Sequence, residues 1–309
     1  MTVSAFTIDV ECGINIAMRD FCQIQMPPTD RVVKLTRRIL SLLEKHESKA
    51  TFFVLGDVAK HYPNLVKEMA DAGHEIGVHS HAHYQLFKLT PDTARADTIG
   101  AKAVIEDVIG KRVVGYRAPA FSVTPHTSWS LPMLAELGFE YDSSIMPIKA
   151  RRYGWPNFPK DITRVTLGTG KSIVEFPMSV TKFLGKKIPC CGGGPLRQFP
   201  FWFTKRFFAD VSANRPVNVY VHPYEIDTEP YPAYYSDALR QLSWKRRLAI
   251  EVFRINKTTM FAKLDRLLAL NRFDTCKSVI DAANNAGTVG TITLEQALID
   301  ANKKRLSSR

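Results

Sequence analysis

Short apolar runs alternate along this chain with longer stretches whose apolar positions recur every three or four residues. The short runs are β-branched or aromatic and read as strands. They fall at residues 5–10, 50–55, 75–79, 113–117, 140–144, 173–177 and 217–222. The longer stretches read as helices. Residues 30–45 place Val32, Leu35, Ile39, Leu42 and Leu43 on one face, with Thr29 as N-cap. A helix at 63–72 starts with proline and stops before Gly73. Thr90-Pro91 opens another that ends near Gly110, and Thr124-Pro125 opens one that stops before Gly138. A further helix covers 201–213. Strand–helix alternation of this kind predicts an α/β fold with a parallel sheet, the size of a slightly short parallel barrel.

The pattern loosens in three places. Residues 149–171 are rich in proline, glycine and aromatics and read as a long loop over one barrel face, with 189–200 as a second loop. From about residue 234 the chain turns helical and basic through 270, and beyond 284 it reads as a short loose segment with 306–309 frayed. Two units are expected: a barrel over 1–230, and a helical extension over 231–309 packed on it.

The 309 residues are 45% hydrophobic, enough for a large core. No apolar run reaches the ~18 residues of a membrane span. The first residues enter a strand pattern without the basic start and apolar stretch of a secretory signal, so a cytoplasmic location is expected. Five cysteines, an odd number with Cys190 and Cys191 adjacent, point to reduced thiols rather than a disulfide framework. The net charge of +12 suits anionic partners: phosphate-bearing substrates, a bilayer face or nucleic acid. The basic residues form only short clusters, at 149–152, 186–187, 245–247 and 303–305, and no nucleic-acid fold signature accompanies them. No specific nucleic-acid partner is expected.

Chemistry concentrates at strand ends. His79 and His83 follow the third strand, and one helical turn there would point both imidazoles the same way. Asp9-Val10-Glu11 closes the first strand with two carboxylates. Two imidazoles and one carboxylate make a common hydrolytic metal site. Arg117 closes the fourth strand and is placed to aim a carboxylate base and lower its pKa. His222 closes the last strand, and a histidine, which ordinarily titrates near neutrality, can act as general acid. Asp142 is available to orient His222 or another group. In parallel barrels all these ends emerge on one face. The plainer readings are an acidic strand end, a histidine-rich surface loop that includes His74 and His81, a surface salt bridge for Arg117, and a core histidine at 222.

In this order the pieces resemble the polysaccharide deacetylase family, the NodB-homology or carbohydrate esterase family 4 group, over about residues 7–227. The pattern is nearest to the branch associated with exopolysaccharide loci. It rests on Asp9-Val10-Glu11, Ala50-Thr51-Phe52-Phe53-Val54-Leu55-Gly56, Gly73-His74-Glu75-Ile76, Tyr116-Arg117-Ala118-Pro119, Tyr141-Asp142-Ser143-Ser144-Ile145 and His222-Pro223-Tyr224-Glu225-Ile226-Asp227. The resemblance implies a distorted barrel of about seven strands. It implies Asp9 as catalytic base, His79 and His83 as metal ligands, Arg117 as partner of the base, His222 as general acid and Asp142 as the group orienting that acid. Val10 stands where the family's usual metal-binding aspartate would be, so Glu11 is taken as the third ligand, as in an Asp-Val-Asp variant of peptidoglycan-deacetylase relatives. Phe121 stands where many relatives carry tryptophan, and the tryptophan of the fourth motif is missing.

The implied cofactor is a divalent metal, zinc first, with cobalt or another divalent ion also acceptable. The implied substrate is an N-acetylated amino sugar in a cell-surface glycan or its lipid-linked precursor, with acetate released. Substrate contacts are expected at Pro119, Ala120, Phe121 and Tyr224. The competing readings are a deformylase or other amide hydrolase on the same scaffold, and an inactive glycan-binding relative. Residues 191–195, with three glycines, would let a sugar approach the backbone closely and do not fit a phosphate loop. Residues 196–208 mix phenylalanine and tryptophan with arginine and lysine. They read as a barrel helix with an aromatic core face, or as a peripheral contact with the anionic inner face of a membrane.

Overall fold

The computed structural model describes residues 2–150, 153–168, 170–251 and 255–306. Arg151 and Arg152 of the basic cluster at 149–152, the tail at 307–309, and the side chains of Lys304 and Arg305 lie outside the described residues.

Among the described residues twelve strands occur in chain order: β1 (Ser4–Val10), β2 (Thr51–Val54), β3 (Glu75–Val78), β4 (Gly115–Tyr116), β5 (Tyr141–Asp142), β6 (Thr163–Thr166), β7 (Ser172–Glu175), β8 (Val180–Phe183), β9 (Lys186–Pro189), β10 (Asn218–Val221), β11 (Phe273–Asp274) and β12 (Gly290–Thr293). The order β10-β1-β2-β3-β4-β5-β7 runs parallel throughout. These are the seven strands that the apolar runs predict. Parallel strands covered on both faces carry unbroken apolar runs, and every residue of β1 is buried.

The helices follow their patterns. The helix Arg31–Lys45 buries Val32, Leu35, Ile39, Leu42 and Leu43. The helix Pro91–Ile109 starts in a capping box at Thr90 and ends at Gly110, whose φ of 65° is the left-handed stop that glycine accepts. The helix Gly13–Cys22 was not expected, because Asn15, Arg19 and Asp20 blur its apolar period.

The fold is α/β with a mostly parallel sheet. Among the described residues no backbone ladder joins β7 to β10. From β7 the sheet instead continues to antiparallel β6 and then β12. Side chains bridge the opening. Asn218 Nδ2 donates to Ser143 Oγ at 3.0 Å and to the Phe176 carbonyl at 3.1 Å, while its backbone N–H donates to Ser179 Oγ at 2.8 Å. The parallel strands are thus curved around a polar plug rather than closed by a ladder.

Three expectations are corrected. Residues 149–171 contain β6, whose alternating buried and half-buried positions pair with β7. Residues 189–200 contain the helix Gly193–Gln198. The segment 231–309 is not purely helical. Its helices Ala233–Arg240, Trp244–Glu251, Lys257–Leu270, Cys276–Asn285 and Leu294–Leu306 are joined by β11, which pairs with β1, and β12, which pairs with β6. The stretch beyond 284 is therefore a strand and a helix, not a loose segment. Both strands escape a periodicity reading: β11 is two residues long, and β12 is mostly exposed at a sheet edge. Tertiary contact holds β11, with Phe273 edge-on to Phe6 at 5.4 Å between ring centroids.

All five cysteines are free thiols. Among the described residues no helix is long and apolar enough to cross a membrane. Most of the aromatic segment packs inward. Phe199, Phe203 and Phe207 gather around Phe183 of β8, and Phe207 and Phe208 are buried, while Trp202 is 59% exposed.

The bridge across the sheet opening sets a test. Asn218→Leu removes two donors across the opening and leaves one N–H of the buried Arg117 without its acceptor, which costs about 1–3 kcal/mol. Urea unfolding should show a lower midpoint with an unchanged slope. An unchanged midpoint would mean the opening needs no bridge.

Candidate active site

The seven parallel strands bring their C-terminal ends to one rim. Asp9 closes β1 and Glu11 follows it. His79 follows β3, its N–H bonded to the Val54 carbonyl at 2.9 Å. Arg117 follows β4, its N–H bonded to the Val78 carbonyl at 2.9 Å, and His222 follows β10. Residues up to 213 positions apart thereby share one floor.

Glu11, His79 and His83 converge. Glu11 Oε1 lies 3.0 Å from His79 Nε2 and 3.0 Å from His83 Nε2, and all three residues are buried. The two histidines do not meet through a helical turn. The backbone between them is irregular, with Ser80 at φ 65° and His83 at φ 59°, both left-handed. Ser80 Oγ accepts the His83 N–H at 3.0 Å and fixes this turn. His81 points elsewhere, packed against Gly56 with its N–H on Asp97. His74 sits at the other end of β3, against Phe52, and burial lowers its pKa to about 4.

These residues fit a divalent cation on the chemistry of their donors. His79 Nδ1 is 2.8 Å from the Arg117 carbonyl, which can only accept, so Nδ1 carries the proton. In the neutral ring Nε2 then offers a lone pair, and it faces a carboxylate oxygen that also offers lone pairs. Burial pushes the Glu11 carboxyl up, but the facing His83, His222 and His79 outweigh it and hold the group well below the usual carboxylate range. An ionised carboxylate and imidazole lone pairs gathered around one point make a ligand set.

Beside this cluster Asp9 is held by Arg117. The guanidinium is fully buried, and Nη1 donates to Asp9 Oδ1 at 2.7 Å and to Thr7 Oγ1 at 2.7 Å. Nε donates to the Ser143 carbonyl at 2.9 Å, and Nη2 donates to Ser143 Oγ at 2.9 Å and Asn218 Oδ1 at 3.4 Å. Every N–H of the group is thus used, and its face covers the Phe53 ring at 4.2 Å. This is a core ion pair, not a surface salt bridge.

His222 Nε2 faces the same space, 3.7 Å from Asp9 Oδ2 and 3.9 Å from Glu11 Oε1. Its Nδ1 meets Glu225 Oε2 at 3.3 Å. Burial lowers the His222 pKa, but Glu11, Glu225 and Asp9 outweigh it and raise it to about 9. Glu225 is the residue that the sequence reading passed over. It is three residues on, in a 3-10 turn where its carboxylate also accepts the His222 N–H at 3.0 Å. That i, i+3 acid after a strand-end histidine was the available signal.

Asp142, expected to orient His222, takes other partners. It is fully buried, accepts from Ser144 Oγ, and faces Glu175. Burial pushes its carboxyl up to about 6 and pushes Glu175 well above the usual range. Asp142 Oδ2 and Glu175 Oε2 have no hydrogen-bond donor among the described residues. Two facing carboxyl groups in that state share a proton. Ser144 Oγ accepts the Ala118 N–H at 2.7 Å, so this pair braces the strand end that carries Arg117.

The glycines at 192 and 193 serve the protein itself. A Cβ on Gly193 would sit 1.7 Å from Glu225 Oε2, and one on Gly192 would sit 2.1 Å from the Tyr220 ring. They admit Glu225 and Tyr220 rather than a sugar. A cleft of 1810 Å³ opens over the floor, lined by Asp9, Glu11, His83 and His222, by Ala120 and Phe121, and by Tyr220 and Tyr224. Pro119 is buried beneath it. Ala120 and Phe121 have φ of 53° and 51°, a left-handed pair that turns their backbone at the rim. Tyr224 stacks on His222 at 4.8 Å.

Two family models match parts of the chain. Residues 27–141 match the model of the polysaccharide deacetylase family, and residues 143–281 match a domain of unknown function, DUF3473. A peptidoglycan-N-acetylglucosamine deacetylase of Bacillus cereus is 38% identical over 94 residues, 30% of this chain and 32% of that protein. A peptidoglycan deacetylase of Helicobacter pylori is 31% identical over 109 residues, 35% of this chain and 36% of that protein. The chain therefore spans about a third of the length of these relatives. A Mycobacterium smegmatis protein provisionally described as a polysaccharide deacetylase superposes with a TM-score of 0.60 at 22% identity, over 93% of this chain and 91% of its own. That likeness speaks for the fold.

The buried acid pair yields a pH test. Burial raises both carboxyls, so the folded chain keeps protons that the unfolded chain releases, and stability from this pair falls as pH rises from about 4 through the folded values. Glu175→Gln gives Asp142 an N–H donor that needs no proton. The variant should match the wild type near pH 4.5 and exceed it by about 1–3 kcal/mol at pH 8. Thermal melts across that range decide it. A difference that does not change with pH would mean no proton is shared.

Proposed function

We propose, from the match of residues 27–141 to the polysaccharide deacetylase family model, that the chain removes N-acetyl groups from an amino sugar of a glycan. The glycan is assigned to a cell-surface polymer or its lipid-linked precursor, as in the branch associated with exopolysaccharide loci. The observation that carries this reading is that Glu11 belongs to two clusters at once. It joins His79 and His83 on one side, and Asp9 and His222 on the other, with the ligand atoms of each cluster within 4.8 Å. A ligand set, a base and an acid then face one reacting bond.

An acetamide is a poor electrophile and its amine a poor leaving group. A divalent cation, zinc first, would be held by Glu11, His79 and His83, and would supply Lewis acidity toward the carbonyl and the attacking water. Asp9 takes the water's proton on Oδ2, since Arg117 occupies Oδ1. Arg117 keeps the carboxylate aimed. The carbonyl carbon becomes tetrahedral, and the Ala120 N–H is assigned to its oxygen. The neighbouring N–H groups of Phe121 and Ser122 are spent on the Ala118 and Pro119 carbonyls. His222 Nε2 then gives its proton to the nitrogen as the C–N bond breaks, while Glu225 at Nδ1 holds the ring. Acetate and the free amine leave. Phe121 and Tyr224 supply aromatic walls for a sugar ring.

Incubation with a panel of N-acetylated saccharides, polymeric and polyprenyl-linked, should release acetate. Asp9→Asn and His222→Ala should each slow release by at least ~100-fold. Near-wild-type turnover in either variant would remove its assigned role. Chelation should abolish activity and added zinc or cobalt restore it. Activity indifferent to chelation would contradict the metal assignment, and release of formate in place of acetate would favour a deformylase.

A further inference from the structure

The cleft is electrically uneven. Four of its five lining carboxylates are matched by arginines, Asp9 by Arg117, Asp20 by Arg19, Glu225 by Arg197 and Asp227 by Arg31, and the fifth, Glu11, belongs to the ligand set with His79 and His83. Among the lysines on the same lining, Lys88, Lys149, Lys182 and Lys186 have no such match. Lys149, in the segment after β5, and Lys182 and Lys186, on the β8–β9 hairpin, are exposed. None of the three forms an ion pair among the described residues.

The hairpin concentrates positive charge, with Lys182, Lys186 and Lys187 all exposed. Lys182 stands directly opposite Lys187, and Phe183 opposite Lys186, in the antiparallel register. The hairpin is anchored. Phe183, next to Lys182, packs edge-on against Phe203 at 5.7 Å and Phe207 at 5.8 Å.

We propose that the outer cleft binds an anionic group, a carboxylate or a phosphate, carried by the glycan close to the N-acetylated residue that is hydrolysed. This rests on the deacetylase reading and narrows it to an acidic glycan or a phosphate-linked sugar. The floor processes the acetamide while Lys149, Lys182 and Lys186 hold the charge. Screening by salt should weaken the contact, since all three lysines are exposed.

The test uses the full chain with its metal and three substrates of similar length. One is a neutral N-acetylglucosamine oligomer. The second alternates uronate with N-acetylglucosamine, and the third is a pyrophosphate-linked N-acetylated sugar. At low salt kcat/KM should favour at least one anionic substrate by about tenfold or more, mainly through KM, which is about 1.4 kcal/mol. The preferred arm tells carboxylate from phosphate. High salt, or the pair Lys182→Ala and Lys186→Ala, should bring the anionic-to-neutral ratio toward one, and Lys182→Arg should preserve it. Equal kcat/KM for neutral and anionic substrates, or a ratio unmoved in the double variant, overturns the proposal. If no substrate yields acetate, the deacetylase reading fails instead. Direct titration of the same three saccharides then decides the charge proposal: tighter anionic binding lost in the double variant upholds it, and equal binding overturns it.

Discussion

One buried cation organises this molecule. Arg117 has no solvent exposure and satisfies every N–H it owns. Its partners come from Thr7 and Asp9 of β1, Ser143 just after β5 and Asn218 of β10, and its face lies on Phe53 of β2. Its backbone carbonyl fixes His79, just after β3. One residue at the end of β4 thus touches residues in or next to β10, β1, β2, β3 and β5. A buried charge is tolerable only when paired and fully hydrogen-bonded. That condition ties the fold to the site, because the carboxylate that pairs with the guanidinium is the candidate base.

The same constraint explains the open sheet. The parallel strands need not close by a ladder, because the plug of Arg117, Ser143 and Asn218 spans the opening between β7 and β10. Polar groups inside a barrel cost stability when partly satisfied and give specificity when complete. Here they are complete, and they fix which oxygen of Asp9 faces the cleft.

The seven parallel strands were legible because buried parallel strands are continuous apolar runs, and the gathering of the candidate residues on one floor was legible because the ends of such runs share one rim. What could not be read depends on contacts across the chain. Glu225 takes the place beside His222 that was expected for Asp142, and nothing in the local pattern around Asp142 reveals that it is buried against Glu175. The His79–His83 pair was read as a helical turn, yet left-handed Ser80 and His83 bring the rings together. The glycines at 192 and 193 looked like a sugar approach, and their space is taken by Glu225 and Tyr220. β11 and β12 are too short or too exposed to show a period, and only pairing with β1 and β6 makes them strands.

The account stands on Glu11, His79 and His83 acting as one ligand set beside Asp9. Anomalous diffraction from crystals grown with zinc tests this most directly. The account predicts a single strong peak at about 2.0–2.2 Å from Glu11 Oε1 and the Nε2 atoms of both histidines, with Asp9 still bound to Arg117. A floor without a peak, or zinc held only elsewhere on the chain, would contradict it.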